Sequence, residues 1–171
     1  MLSAFKTLVK AALWLLVIAI IPLGYAAWRY WEAMQYGSLI MSSQHVAADR
    51  LLSSVKDAKP FICRGEAANF QNAGAGTTYV ANGTMRTDTT YFPQNMTVHM
   101  IMKKGGETYV WQDGQREGCR VTVFDQMSLQ SALPQDTPLM TKHSCSPWWF
   151  SDAAVFQPPR DVFFNDCARK Q

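Results

Sequence analysis

The chain has 171 residues, 48% of them apolar, with 16 Lys and Arg against 13 Asp and Glu. That length suits one membrane segment followed by one globular domain. Lys6, Lys10 and Arg29 account for the excess positive charge, so the chain from Glu32 onward is formally neutral. No basic stripe is left to neutralise phosphates, which argues against nucleic acid as a partner.

Ala11 to Trp28 carries no charge. A helix rises 1.5 Å per residue, so this run approaches the hydrocarbon thickness of a bilayer. Trp28, Tyr30 and Trp31 cluster at its far end, where amphipathic rings favour the membrane interface. Residues 1–31 are therefore expected to form a cytoplasmic N-terminus and a transmembrane helix. Lys6 and Lys10 on the near side direct the C-terminal domain across the cell membrane, to the periplasmic or extracellular side. A cleavable secretory signal is the rival reading. Pro22-Leu23-Gly24-Tyr25-Ala26 places small residues where cleavage would fall. The apolar run continues past Ala26 into the aromatic residues, which favours an uncleaved signal-anchor. Both readings export the domain.

Residues 32–60 are expected to be a short connector, Glu32 to Gly37, and an amphipathic helix, Ser38 to Ala58. Ile40, Ala47, Leu51, Leu52 and Val55 recur at helical spacing, with Gln44, Asp49, Arg50 and Lys56 on the polar side. Pro60 stops the helix.

Residues 61–171 change to a period of two. Strands are predicted at Phe61–Glu66, Thr77–Ala81, Thr84–Asp88, Met96–Met102, Thr108–Trp111 and Arg120–Phe124. Asn82-Gly83 supplies the positive φ of a two-residue hairpin turn, and Lys104-Gly105-Gly106 and Asp113-Gly114 mark two more turns. Pro134, Pro138, Pro147, Pro158 and Pro159 then make the chain loop-rich until a last strand at Asp161–Phe164. The fold class is mainly β (α+β): an antiparallel meander against which the amphipathic helix packs.

Cys63, Cys119, Cys145 and Cys167 all follow the apolar segment, with no C-x-x-C pair. Wide spacing beyond a membrane segment reads as two disulfides in an oxidising compartment, with all three pairings open.

Motifs that carry chemistry are sparse. There is no G-x-S-x-G elbow, phosphate loop, dinucleotide fingerprint or calcium loop. Met96, Val98, Met100 and Met102 would share one strand face, either filling the core or lining an adaptable apolar pocket. His99 would project from the opposite face, so a thioether copper set does not converge. His143-x-Cys145 is the nearest metal-like pair, but a disulfide would consume that thiol. His45 completes the histidines. Asp88, Asp113 and Asp125 read as turn residues rather than paired acids and bases. Trp148-Trp149-Phe150 is expected to plug the core beside Cys145, or else to form an exposed patch for a partner or the membrane surface. No enzyme activity, cofactor or metal is expected.

One resemblance rests on Gly-x-x-Tyr-Val-Ala-Asn-Gly-x-Met-Arg-x-Asp (Gly76 to Asp88), His99-Met-Ile-Met102 and Tyr109-Val-Trp-x-Asp113. It continues through Cys145-x-x-Trp148 and Phe156-x-Pro-Pro-x-Asp-Val-x-Phe164. The series resembles exported, membrane-anchored bacterial proteins related to the LolA/LolB lipoprotein carriers, over roughly Phe61 to Asp166. The resemblance implies a strongly curved antiparallel sheet, a half-barrel, whose apolar concave face under helix and loops accepts acyl chains. The chain departs from a soluble carrier in keeping an anchor and has no lipobox cysteine beside it. On this basis Met85, Met100, Met102, Tyr109 and Trp111 are the candidate pocket residues. The expected function is an extracytoplasmic binding module for a lipid or other apolar ligand. The alternative is an accessory single-pass subunit of a larger membrane complex.

Overall fold

The computed structural model describes residues 2–42, 55–67, 74–92, 95–122 and 142–167. One long helix, α1 (Leu2–Ser42), precedes eight strands: β1 (Phe61–Ala67), β2 (Gly74–Ala81), β3 (Thr84–Tyr91), β4 (Met96–Met102), β5 (Glu107–Gln112), β6 (Glu117–Thr122), β7 (Lys142–Pro147) and β8 (Phe163–Asp166). A one-turn 3-10 helix, Ala153–Phe156, lies between β7 and β8. The strands form one open sheet in the order β7-β1-β2-β3-β4-β5-β6-β8.

Helix α1 runs 41 residues, which is about 60 Å, roughly twice what a bilayer core requires. Its Leu13–Ser38 segment is long and apolar enough to cross a membrane. The connector expected at Glu32–Gly37 is helical and continues α1 without a break. Gly37, the last residue of that expected connector, serves close packing. Arg29, Ala33 and Gly37 recur every four residues and are buried, whereas Tyr30, Trp31 and Met34 between them are exposed. Ala33 and Gly37 are the small residues of this stripe and pack on β7 and β1, while the long Arg29 side chain reaches the Pro60 carbonyl. Of the amphipathic helix expected at Ser38–Ala58, residues 38–42 belong to α1 and 43–54 lie outside the described residues. Val55 and Ala58 are buried in the core, while Lys56 and Asp57 point to solvent.

The core cluster joins Ala33 of α1 and Val55 to Phe61, Cys63, Val80, Met85, Met102 and Cys145 of the sheet. Phe61 and Val80 are essentially inaccessible, and burying a side chain of this kind contributes about 1.5–3 kcal/mol. Asn82 and Gly83 adopt φ of 52° and 75°, the left-handed pair that a two-residue hairpin needs.

Two strands depart from the expected meander. Lys142–Pro147 falls in the stretch that its prolines mark as loop, yet it is a strand. It pairs antiparallel with β1, with Cys63 directly opposite Cys145. The last strand begins at Phe163 and runs parallel to β6. A parallel pair needs a long return connection, so it lies outside hairpin logic. The disulfides join Cys63 to Cys145 and Cys119 to Cys167. Each therefore fastens one of the strands that a meander would omit or misplace. The first bridge spans 82 residues, and in the chain-entropy model such a loop contributes about 4 kcal/mol.

Gly37 gives a direct test of the helix–sheet joint. A Cβ there would overlap Cys145 Sγ and lie 2.6 Å from Cys63 Sγ, whereas a Cβ at Gly24 meets nothing within 4 Å. Gly37→Ala is expected to lower stability by about 1–3 kcal/mol, in the range of core overpacking. Gly24→Ala should be neutral or slightly stabilising. Thermal unfolding of the full chain in detergent checks the contrast.

Candidate functional site

Directly opposed residues in a ladder share a face, so the register sorts every candidate side chain. Met85 pairs with Met102, Met100 with Val110, and His99 with Trp111. Met85, Met100 and Met102 therefore lie on the sheet face against which α1 packs at the β7–β1 edge. Tyr109 and Trp111 lie on the opposite face, against Phe164 at 5.0 and 5.9 Å. The five candidate pocket residues do not converge on one site. On the α1 face, Met85 and Met102 belong to the first core cluster. Tyr91, Val98 and Val110 form a second cluster, with Met96, Met100 and Cys119 packed beside it. Met100 touches both clusters.

The opposite face carries a polar network. Asp88 of β3 stands across the ladder from His99 of β4, and Asp113 follows β5 in the next turn. His99 Nδ1 lies 2.8 Å from Asp88 Oδ1, and His99 Nε2 lies 2.9 Å from Asp113 Oδ1. Arg86 Nε donates to the same Asp88 oxygen at 2.8 Å, and Arg86 Nη1 donates to the Val155 carbonyl at 2.9 Å. Trp111 stacks on the imidazole with ring centres 4.9 Å apart. The Arg86 guanidinium approaches the Trp111 ring at 5.6 Å.

With a carboxylate facing each ring nitrogen, the imidazolium form satisfies both contacts. The hydrogen bond to Asp88 raises the His99 pKa above 6.5. Burial opposes this, and the bond to Asp113 reinforces it. Burial pushes the Asp88 carboxyl upward, but hydrogen bonds from His99 and Arg86 and their charge outweigh it, and its pKa falls below 3.8. In the imidazolium form neither ring nitrogen offers a lone pair, so the network suits fastening strands better than ligating a metal or accepting a proton. Among the described residues, no group of three or more His, Cys, Asp or Glu could hold a metal ion. Asp88 and Asp113 each read as an isolated turn residue in the sequence. The pairing register across Phe92–Asn95 that would align Asp88 with His99 is not encoded in any local motif.

Beside this network a shallow groove of about 650 Å³ runs along the outer face of β7, β1, β2 and β3. Arg64, Glu66, Thr77, Asp88, Thr90 and Ser144 line it, and its character is polar. His143 is exposed on β7, and the Cys145 thiol is held in a disulfide. His45 lies outside the described residues. Trp28, Tyr30 and Trp31 are exposed on α1.

The aromatic tripeptide does not plug the core. Trp148 is half-buried between Tyr79 and Phe156, at 5.6 and 5.9 Å. Trp149 and Phe150 face outward. Pro60 ties this loop to the helix, because its carbonyl accepts from both Trp148 N–H, at 3.0 Å, and Arg29 Nη2, at 2.9 Å. Arg29 also bonds Glu32 at 2.7 Å.

No family model matches the chain, and no curated protein or solved structure shows significant similarity to it.

The network gives stability a defined pH dependence. The raised pKa of His99 contributes stability that is fully present below about pH 6.5 and lost as pH rises through the folded value. The lowered pKa of Asp88 contributes stability present above about pH 3.8 and lost as pH falls through the folded value. The unfolding midpoint should therefore pass through a plateau between these limits. His99→Gln should flatten the alkaline limb. A midpoint measured from pH 4 to 9, with identical alkaline slopes for both proteins, would contradict this role.

Proposed function

We propose that the chain is a non-enzymatic, single-pass membrane-anchored module that binds a lipid or another apolar ligand on its extracytoplasmic sheet. Continuity of α1 from Leu2 to Ser42 supports an uncleaved anchor, and the two disulfides suit an oxidising compartment. The N-terminal lysines support a cytoplasmic N-terminus.

One observation carries the ligand reading. The face bearing Met85, Met100 and Met102 extends past the helix into a second apolar cluster that contains no α1 residue. Met96 and Met100 stay partly exposed there. Unbranched thioether side chains adapt to ligands of irregular shape, as acyl chains require. The proposed ligand surface is therefore Met85, Met96, Met100 and Met102 with Tyr91 and Val110, and it omits Tyr109 and Trp111. A sheet curved over this face and covered by helix, as in the lipoprotein carriers that the sequence resembles, is part of the same proposal.

The pinned helix favours a second reading, an accessory subunit of a membrane complex. A helix fixed to its domain holds that domain at a set height and angle, which suits docking on transmembrane neighbours. Native mass spectrometry after mild extraction separates the two. Co-purifying lipid that is reduced several-fold by Met100→Glu, and unchanged by Tyr109→Gln on the opposite face, is the expected result. A ligand-free chain in stoichiometric complex with another membrane protein would replace the first reading with the second.

A further inference from the structure

We infer that the Trp149–Phe150 loop is a second membrane contact, seating its rings in the interface of the same bilayer that α1 crosses. This rests on the anchor but is independent of the apolar-ligand reading.

Phe150 is 92% exposed and Trp149 48% exposed, although 48% of the chain is apolar and a packed core is available. The loop is not loose. Trp148 holds it by its bond to the Pro60 carbonyl and by its rings on either side, so the next two side chains are directed outward by a fixed neighbour. Adjacent exposed aromatics on a restrained turn mark a contact surface rather than an accident of composition.

The height of the loop identifies the occupant. The Trp149 ring lies 6.1 Å from the Tyr25 ring and 5.8 Å from the Arg29 guanidinium. Tyr25 and Trp28 close the charge-free part of α1, and Arg29 is the first charge beyond it. Trp149 therefore stands where the helix leaves hydrocarbon, the depth at which Trp and other amphipathic rings concentrate. Strand β7 leads down to this level along α1: Cys145 packs at Gly37, and Trp149 at Tyr25, three helical turns nearer the membrane.

Cations lie at the same end. Lys59 Nζ sits 3.7 Å from the centre of the Trp28 ring. The Asn82-Gly83 and Lys103–Gly106 turns close the same end of the ladder as Pro147 and Phe61, and Lys104 is exposed there. Lys59 lies beside the exposed Trp28 and also 3.9 Å from Glu32. Together with Lys104 at the same end it matches a layer of phosphate headgroups over acyl chains, whereas a protein partner would not need this loop to coincide with the end of the span.

Site-directed spin labelling tests the contact on the full chain in nanodiscs of phosphatidylcholine and phosphatidylglycerol. Single labels are placed by Phe150→Cys, Gln115→Cys and Ile18→Cys, each protein checked by mass for intact native bridges. Position 115 follows the turn between β5 and β6, and position 18 is an exposed site in mid-helix. The label at 150 is expected to collide several-fold more with oxygen than with a water-soluble nickel chelate. Its depth should fall between the aqueous label at 115 and the hydrocarbon label at 18. An aqueous label at 150 with a hydrocarbon label at 18 overturns the contact and leaves the anchor standing. An aqueous label at 18 removes the anchor and the contact together.

Discussion

Everything in this molecule depends on how closely one helix approaches one disulfide. Ala33 and Gly37 present almost no side chain to β7 and β1, so the helix backbone settles directly over Cys63 and Cys145. The bridge joins β1 to β7, two strands that lie far apart in sequence, and the helix packs over it. Pro60 completes the joint, because one carbonyl receives both the helix guanidinium and the backbone of the aromatic loop. A long apolar helix, able to cross a membrane, and a β sheet are thereby made into one body rather than two parts on a tether.

The sheet then separates two kinds of surface. The face that meets α1 at one edge is apolar and rich in methionine, and the other face holds a charged network pinned by a stacked tryptophan. His99 and the methionines alternate along β4, so one strand serves both surfaces with a period of two. The polar side supplies rigidity through paired charges across β3, β4 and the turn after β5. The apolar side gathers the methionines of β3 and β4 into two packed clusters.

Much of this was legible in residue pattern, and the rest was lost for identifiable reasons. The apolar span, the Asn82-Gly83 hairpin, the turn at Asp113-Gly114 and the alternation of Met100 with His99 follow from local chemistry. The strand at Lys142–Pro147 was hidden because what recruits it is a disulfide and an exposed edge, neither of which is local. The helical state of Glu32–Gly37 was hidden by Gly37, whose role is contact with sulfur atoms distant in sequence. Composition groups Tyr109 and Trp111 with the methionines but does not set strand phase, and a shift of one residue reverses the face. Asp88 with His99 depended on the same register.

The central claim is that helix and sheet move as one body. Paired nitroxide labels at Ile20 in the span and at Gln115 on the far turn, measured by electron double resonance in nanodiscs, test it most directly. A single narrow distance distribution is predicted, broadening when the Cys63–Cys145 bridge is replaced by serines. A broad distribution in the native protein would show a domain swinging on a tether and would contradict the account.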